Sequence, residues 1–115
     1  MTLASNGGGD PARNFPIKNL VVDGNVTLQG WSGLWIGLLR TNLGGNVVFS
    51  NNAGTQTGIE EFEGILDSSE IATNHVGGNL ICHGNLPAAQ LGDAILEGGA
   101  ANAVGGNKIG ECTAV

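Results

Sequence analysis

The two cysteines and two histidines have the widest chemical repertoire in this chain, and their spacing limits what they can do. Cys82 and Cys112 are the only cysteines in 115 residues. If both point inward from neighbouring turns of the chain, their Cα atoms can approach within the roughly 4.4–6.8 Å that a disulfide needs. Two buried free thiols are the alternative. A zinc site is disfavoured, because the histidines do not stand at a ligand spacing.

The histidines and acidic residues do not assemble a metal site in the sequence. His75 and His83 are separated by extended chain of about 25 Å, so they cannot bind one ion together, and we expect both on the surface. Oxygen-rich clusters can bind calcium, but the densest acidic cluster lacks the D-x-D-x-D-G pattern. A solvated, charged insertion is favoured at residues 60–70. The cluster consists of Glu60, Glu61, Glu63, Asp67 and Glu70.

The sequence does not favour an enzyme. Polysaccharide lyases and hydrolases combine carboxylates with a nearby Arg or Lys. Asp23, Asp67 and Arg40 are the only such residues in or near the repeats described below, and no spacing unites them. We therefore expect no catalytic residue, no cofactor and no metal. A polysaccharide-active enzyme is the third-ranked function.

Trp31 and Trp35 are the remaining candidates for binding. Exposed tryptophans are common sugar platforms and interface anchors. Packing or capping of the core is the favoured alternative for both indoles. A carbohydrate-binding module that uses these tryptophans or the acidic insertion is the second-ranked function.

Composition excludes several partners and indicates many corners. The net charge is −6, with only four cations, so we expect no binding to nucleic acid or to an anionic membrane surface, and no apolar run is long enough for a membrane-spanning helix. Glycine makes up 21 of 115 residues without a collagen period. Because these glycines stand beside aliphatic residues, they predict short strands with frequent turns.

A degenerate repeat organises the chain. Taking the glycine before each repeated asparagine as the mark, the intervals are 21, 33 and 28 residues. Repeats of this length are typical of solenoids, and variable spacing indicates insertions at corners. The segments are VVDGNVTLQG from Val21, NLGGNVVFSN from Asn42, HVGGNLICHG from His75 and AVGGNKIGEC from Ala103, with marks at Gly24, Gly45, Gly78 and Gly106.

Alternating apolar residues in the first three copies predict strands with one buried face. The sequence therefore predicts an all-β fold, a short right-handed parallel β-helix (solenoid) of about four coils. We expect a flexible N-terminal arm over residues 1–16 and a β-helix domain over residues 17–115, with corner insertions near 55–70 and 86–101. Between the first two marks, GLWIGLL at 33–39 fits a strand or a helix, and its glycines favour the strand.

The repeated asparagines and glycines have a structural interpretation. In stacked coils the asparagines would form a ladder whose amides bond along the axis. The preceding glycines would allow a positive φ where a Cβ would clash. The predicted ladder consists of Asn25, Asn46, Asn79 and Asn107.

The C-terminal half resembles a known group of proteins. SSEIATNHVGGNLICHGNLPAAQLGD, followed by NAVGGNKIGEC, is similar to the closing coils of uncharacterised bacterial secreted β-helix proteins. Those proteins repeat N-x-V-G-G-N-L-x-C-x-G-N-x-P and end in N-x-V-G-G-N-K-x-G-x-C. The resemblance implies the fold, export and a terminal disulfide, but no activity. The similarity to bactofilins, which polymerise end to end, is limited to architecture.

The first-ranked function is a non-catalytic structural or interaction module. We expect an extracellular or cell-surface protein, because a structural disulfide favours an oxidising compartment. Terminal coils of a β-helix expose unpaired backbone groups. Lys108 and the disulfide indicate a cap at the C-terminal end, so the N-terminal end is the expected docking surface. The expected partner is a second copy, as a homo-oligomer or polymer, with a glycan as the alternative.

Overall fold

A computed structural model describes residues 1–55, 68–92 and 98–115. The predicted insertions near 55–70 and 86–101 lie partly outside these ranges. Four residues of the acidic cluster lie wholly outside them: Glu60, Glu61, Glu63 and Asp67. The described residues form strands β1 (Thr2–Lys18), β2 (Val21–Val22), β3 (Val26–Leu39), β4 (Asn42–Leu43), β5 (Val47–Ser50), β6 (Ala53–Gly54), β7 (Glu70–Ala72), β8 (His75–Val76), β9 (Leu80–His83), β10 (Ala103–Val104) and β11 (Lys108–Gly110), and a 3-10 helix over Glu111–Ala114.

The strands stack in parallel, one coil upon the next. One sheet has the order β1-β3-β5-β9-β11, with β6 and β7 also paired to β3, and the second sheet has the order β10-β8-β4-β2. We number the coils by the repeat marks: coil 1 is residues 1–23, coil 2 is 24–44, coil 3 is 45–77, coil 4 is 78–105, and residues 106–115 are the closing segment. The predicted β-solenoid of about four coils is confirmed.

The core consists of stacked columns of aliphatic side chains. In register along the first sheet, Val26 pairs with Val47 and Val47 with Leu80, and each is at most 1% exposed. The next inward column holds Leu28, Phe49 and Cys82, all buried. Because side chains alternate between the faces of a strand, this two-residue period places every second residue in the core.

The stretch at 33–39 belongs to β3, as its glycines indicate. Ile36 and Leu38 lie in the main core, whereas Leu34 is only half-buried. Trp35 and Leu39 form a second apolar cluster with Ala72, against which Leu91 packs. The strand is therefore buried on both faces, which explains why its sequence also fits a helical pattern.

The segment at residues 1–16, which the sequence predicts to be a flexible arm, lies almost entirely in a strand. Residues Thr2–Lys18 form β1, which pairs with β3 from Thr2↔Thr27 to Lys18↔Leu39, with register shifts after Ala4 and Asp10. Leu3, Phe15 and Ile17 are half-buried and pack against the core. These apolar residues are few and widely spaced, so the segment has no visible apolar period although it completes coil 1.

The paired glycines permit close approach of the coils, and the predicted positive φ is wrong for them. None of the positive-φ glycines belongs to a glycine pair of the repeat. A Cβ at Gly78 would lie 2.9 Å from the carbonyl carbon of Gly45 and closer still to Oδ1 of Asn46. At Gly24 a Cβ would meet nothing within 4 Å, because none of the described coils stacks on that side.

Gly78→Ala should therefore destabilise the protein by about 1–3 kcal/mol, because the added methyl must push two coils apart. Gly24→Ala is the matched control at the same repeat position. It should be neutral or stabilise by about 0.4–1 kcal/mol, because it restricts the unfolded chain without a clash. Urea unfolding monitored by circular dichroism measures both changes. Equal effects of the two substitutions would contradict the stacking explanation.

Candidate functional site

The predicted asparagines form an axial ladder on the outside of the solenoid. The backbone N–H of Asn46 donates to Oδ1 of Asn25 over 2.9 Å, and Asn79 and Asn107 repeat this bond to the preceding asparagine over 2.8 Å. The bonds run from backbone to side chain, so the predicted amide-to-amide bonding is not what the structure shows. Each bond fixes the height and rotation of one coil relative to the next.

Inside the solenoid lie two further ladders that the sequence analysis did not predict. In the first, the backbone N–H of Trp31 donates to Oδ1 of Asn52 over 3.1 Å, and the N–H of Asn52 donates to Oδ1 of Asn85 over 3.1 Å. Both asparagines are buried, and their Nδ2 groups donate to the carbonyl oxygens of Leu28 and Phe49. These bonds satisfy polar groups that would be costly to bury alone.

The second inner ladder contains Thr41, Asn74 and Asn102, all buried. Oδ1 of Asn74 accepts from the backbone N–H of Thr41 at 3.0 Å and from its Oγ1 at 2.6 Å. Nδ2 of Asn74 donates to Oδ1 of Asn102 and to the carbonyl oxygen of Leu38, both over 2.8 Å. The amide of Asn74 thus ties three coils together.

A sequence signal for these inner ladders does exist. Asn74 and Asn102 each precede a repeat mark by four residues, and Asn52 and Asn85 each follow one by seven. Successive positions of the inner ladders are therefore separated by the same 21-, 33- and 28-residue intervals that separate the repeat marks. This spacing is hard to recognise in the sequence, because asparagine is also common at turns between strands.

The C-terminal end of the stack is closed by groups that take the place of a further coil. The predicted disulfide between Cys82 and Cys112 is confirmed, with a Cα separation of 5.1 Å. The Glu111 carboxylate accepts from the backbone N–H of Asn85 at 3.1 Å, from its Nδ2 at 2.7 Å, and from the N–H of Ala89 at 3.0 Å. The first inner ladder therefore ends on a carboxylate.

The second inner ladder ends on the main chain. The carbonyl oxygen of Val115 accepts from the backbone N–H of Asn102 at 2.9 Å and from its Nδ2 at 3.0 Å. The Val115 side chain is buried beneath coil 4. Residues 111–115 thus cover the end of the core and occupy the hydrogen-bonding places of a next coil.

No described strand pairs with the other side of coil 1. The N–H of Thr27 donates to the carbonyl oxygen of Met1, so Met1 and Leu3 direct their peptide groups toward coil 2. Because peptide groups alternate in direction along a strand, those of Thr2 and Ala4 face away from coil 2. We call this side of coil 1 the N-terminal edge. Counted from Asn19, whose N–H bonds to coil 2, and from Leu20 and Val22, whose carbonyl oxygens do, the same alternation places the peptide groups of Pro16, Lys18 and Val21 on this edge as well.

Part of the N-terminal edge is protected against pairing. Pro16 has no N–H to offer, and proline is typical of strand edges. The two register shifts in β1 bend the edge away from a flat template. The stretch Thr2–Ala4 has neither feature, so it is the part of the edge with available donors and acceptors.

Trp31 is used by the fold. Its indole Nε1 donates to the carbonyl oxygen of Leu3 over 2.9 Å, and its ring stacks on Phe15 with centroids 4.9 Å apart. The side chain is half-buried against the core. Trp31 therefore holds coil 1 onto coil 2 from inside, through both its polar and its apolar atoms.

Trp35 is buried beside a buried carboxylate. Its side chain is 8% exposed, and Nε1 donates to Oε2 of Glu70 over 2.9 Å. The Lys18 ammonium lies 5.1 Å from the ring centroid, a cation–π distance. Gly37 has no room for a Cβ because the indole covers it. Both indoles thus have partners within the fold, and Trp35 is buried whereas Trp31 is half-buried.

The remaining candidate residues stay apart. His75 and His83 are both exposed. Across residues 1–55, 68–92 and 98–115, no three His, Cys, Asp or Glu side chains gather as a metal site would require. In the same ranges no helix has the length and apolar character needed to cross a membrane.

Comparisons with protein-family models, with curated proteins and with solved structures find no match to this chain.

Asn74→Ala should lower the free energy of unfolding by about 2–4 kcal/mol, because it leaves buried donors and acceptors of three coils without partners. Asn46→Ala is the matched control, since Asn46 is exposed and water can replace its amide; a loss of about 1 kcal/mol or less is expected. Denaturant unfolding curves give both values. Comparable losses of unfolding free energy in the two variants would show that burial of the inner asparagine ladder does not increase its contribution to stability.

Reducing the disulfide should lower the free energy of unfolding by about 3–4 kcal/mol, because the bond closes a loop with a sequence separation of 30 residues. Unfolding is measured with and without reductant. The Cys82→Ala/Cys112→Ala double variant is the control, and reductant should leave its midpoint unchanged. If reductant left the unfolding midpoint of the wild-type protein unchanged, a structural role for the disulfide would be contradicted.

Proposed function

We propose that this chain is a non-catalytic structural or interaction module of an extracellular or cell-surface protein, and that it self-associates through the N-terminal edge. The difference between the two ends of the solenoid carries the proposal. At the C-terminal end, Glu111, Cys112 and Val115 take up the places of a further coil. At the N-terminal edge, none of the strands formed by the described residues lies beside the outward peptide groups of Thr2 and Ala4.

Apolar surface at coil 1 supports association at the same end. Leu3, Phe15, Ile17 and Val22 pack on the core but remain only half-buried. A partner placed over coil 1 would complete their burial, at roughly 25 cal/mol for each Å² of apolar surface removed from water. Main-chain pairing and apolar burial would therefore act at one surface.

The disulfide supports the proposed location. Cys82 and Cys112 lie in the core and join coil 4 to the closing segment. Structural disulfides are characteristic of oxidising compartments. The similarity of the closing coils to those of secreted β-helix proteins points in the same direction.

The interior supports a structural role. The described core is filled by aliphatic side chains and by asparagines whose amides bond from coil to coil. Trp31 and Trp35, which the carbohydrate alternative would use, have partners within the fold, and most of the acidic insertion that it could use instead lies outside the described residues. Nothing in the described part of the chain therefore favours glycan binding as a second function.

Light scattering coupled to size exclusion, from micromolar to millimolar protein, tests the proposal; we expect the mass to rise with concentration. Ala4→Pro should weaken association about tenfold or more, because it removes an outward N–H without touching the bonds between β1 and β3. Ala4→Ser keeps the N–H and is the control. A monomer at every concentration, or equal association of both variants, would refute association through this edge.

A further inference from the structure

We propose that the partner at the N-terminal edge is a second copy of this chain in a head-to-head arrangement, so that assembly stops at a two-fold dimer. This inference rests on the proposed self-association and specifies its geometry. A solenoid can associate head-to-tail, which continues the parallel stack indefinitely, or head-to-head, which closes. Both ends of the solenoid disfavour the head-to-tail arrangement, and neither disfavours the head-to-head arrangement.

Asp23 opposes a parallel neighbour on coil 1. It occupies the position of the first paired glycine, which is Gly44, Gly77 and Gly105 in the following copies. A Cβ at Gly44 would overlap the carbonyl oxygen of Asp23, and a Cβ at Gly105 would lie 2.7 Å from that of Gly77. Stacking in register thus requires glycine on the later coil, and Asp23 offers a Cβ and a carboxylate instead.

This argument concerns any equivalent coil placed on coil 1, whichever chain supplies it. In a head-to-tail polymer the corner of one copy at Gly105 would press its carbonyl oxygen against Asp23 of the next copy. The clash would be accompanied by burial of a carboxylate at the corner, which is unfavourable without a partner. Asp23 therefore acts as a stop against continuation of the stack.

The closing segment opposes head-to-tail contact from the other side. Asn85 and Asn102 would offer their backbone N–H groups to a following coil, but these groups already bond to Glu111 and Val115. The Cys82–Cys112 bond fixes the closing segment over coil 4. A second copy would have to displace this segment before it could stack.

A head-to-head contact avoids both obstacles. Across a two-fold axis, the Thr2–Ala4 stretches of two copies run antiparallel, and each presents both N–H and C=O groups to the other. The corners at Asp23 do not then stack in register. Once two edges are joined, both outer ends of the dimer are closed C-terminal ends, and growth stops.

The distribution of charge favours the same contact. Residues 1–23 contain two anions, Asp10 and Asp23, and two cations, Arg13 and Lys18, so the net charge of −6 lies in residues 24–115. A head-to-head dimer brings together two coils whose formal charges sum to zero. Complementary or neutral surfaces associate where like-charged ones repel.

Amine cross-linking of the intact, oxidised chain distinguishes the arrangements, because Lys18 and Lys108 are the only lysines and lie in the first coil and the closing segment. Equal amounts of ¹⁴N- and ¹⁵N-labelled protein are mixed and cross-linked with a short reagent that carries an amine-reactive ester at each end. The products are digested and analysed by mass spectrometry. Mixed-isotope links among Lys18 and the Met1 amine are expected. Sedimentation velocity should show masses up to the dimer and none above it.

The outcomes separate this inference from the proposed function. Mixed-isotope Lys18–Lys108 links, or masses that grow beyond the dimer, would establish association but overturn the head-to-head geometry. A dimer without links in the first coil would overturn it as well. A monomer at all concentrations would refute the proposed self-association itself. Lys18→Arg and Lys108→Arg serve as controls, since only the first should remove the expected Lys18 links.

Discussion

The close approach of successive coils at the glycine pairs is the constraint on which the rest of this structure depends. At these corners the carbonyl group of one coil occupies the space of a Cβ on the next, so only glycine fits from coil 2 to coil 3 and from coil 3 to coil 4. The following asparagine then accepts a backbone N–H from the next coil. Together these contacts set the register, and the register aligns Val26 with Val47 and Leu80.

Register also makes a partly polar interior possible. An isolated buried amide would destabilise the fold, but stacking in register places each inner asparagine where its oxygen accepts from one coil while its nitrogen donates to others. Such a ladder is satisfied along its length and creates a problem only at its ends. Glu111 and the carbonyl oxygen of Val115 solve that problem at one end, and Trp31 and Thr41 begin the ladders at the other.

The fold was predictable from the sequence where two signals coincide and was missed where one of them fails. The glycine–asparagine marks and the alternating aliphatic residues together predicted stacked strands over coils 2 to 4, and an inward position of Cys82 and Cys112 on neighbouring coils predicted their pairing. Coil 1 lies before the first glycine–asparagine mark and has no continuous apolar alternation, so the sequence predicts an arm there. The inner asparagines were missed because their burial depends on the height of neighbouring coils, which a single segment does not reveal.

The features that concealed coil 1 are those expected of a terminal coil. A coil stacked on a preceding coil must keep glycine at both positions of the pair, whereas a coil without a preceding neighbour is free of that requirement, and coil 1 carries Asp23 there. Proline at an outward N–H position and shifts of register are likewise tolerated only where no strand pairs. Departure from the repeat at residues 1–23 is therefore what stacking predicts for a coil on whose outer side no other described strand pairs.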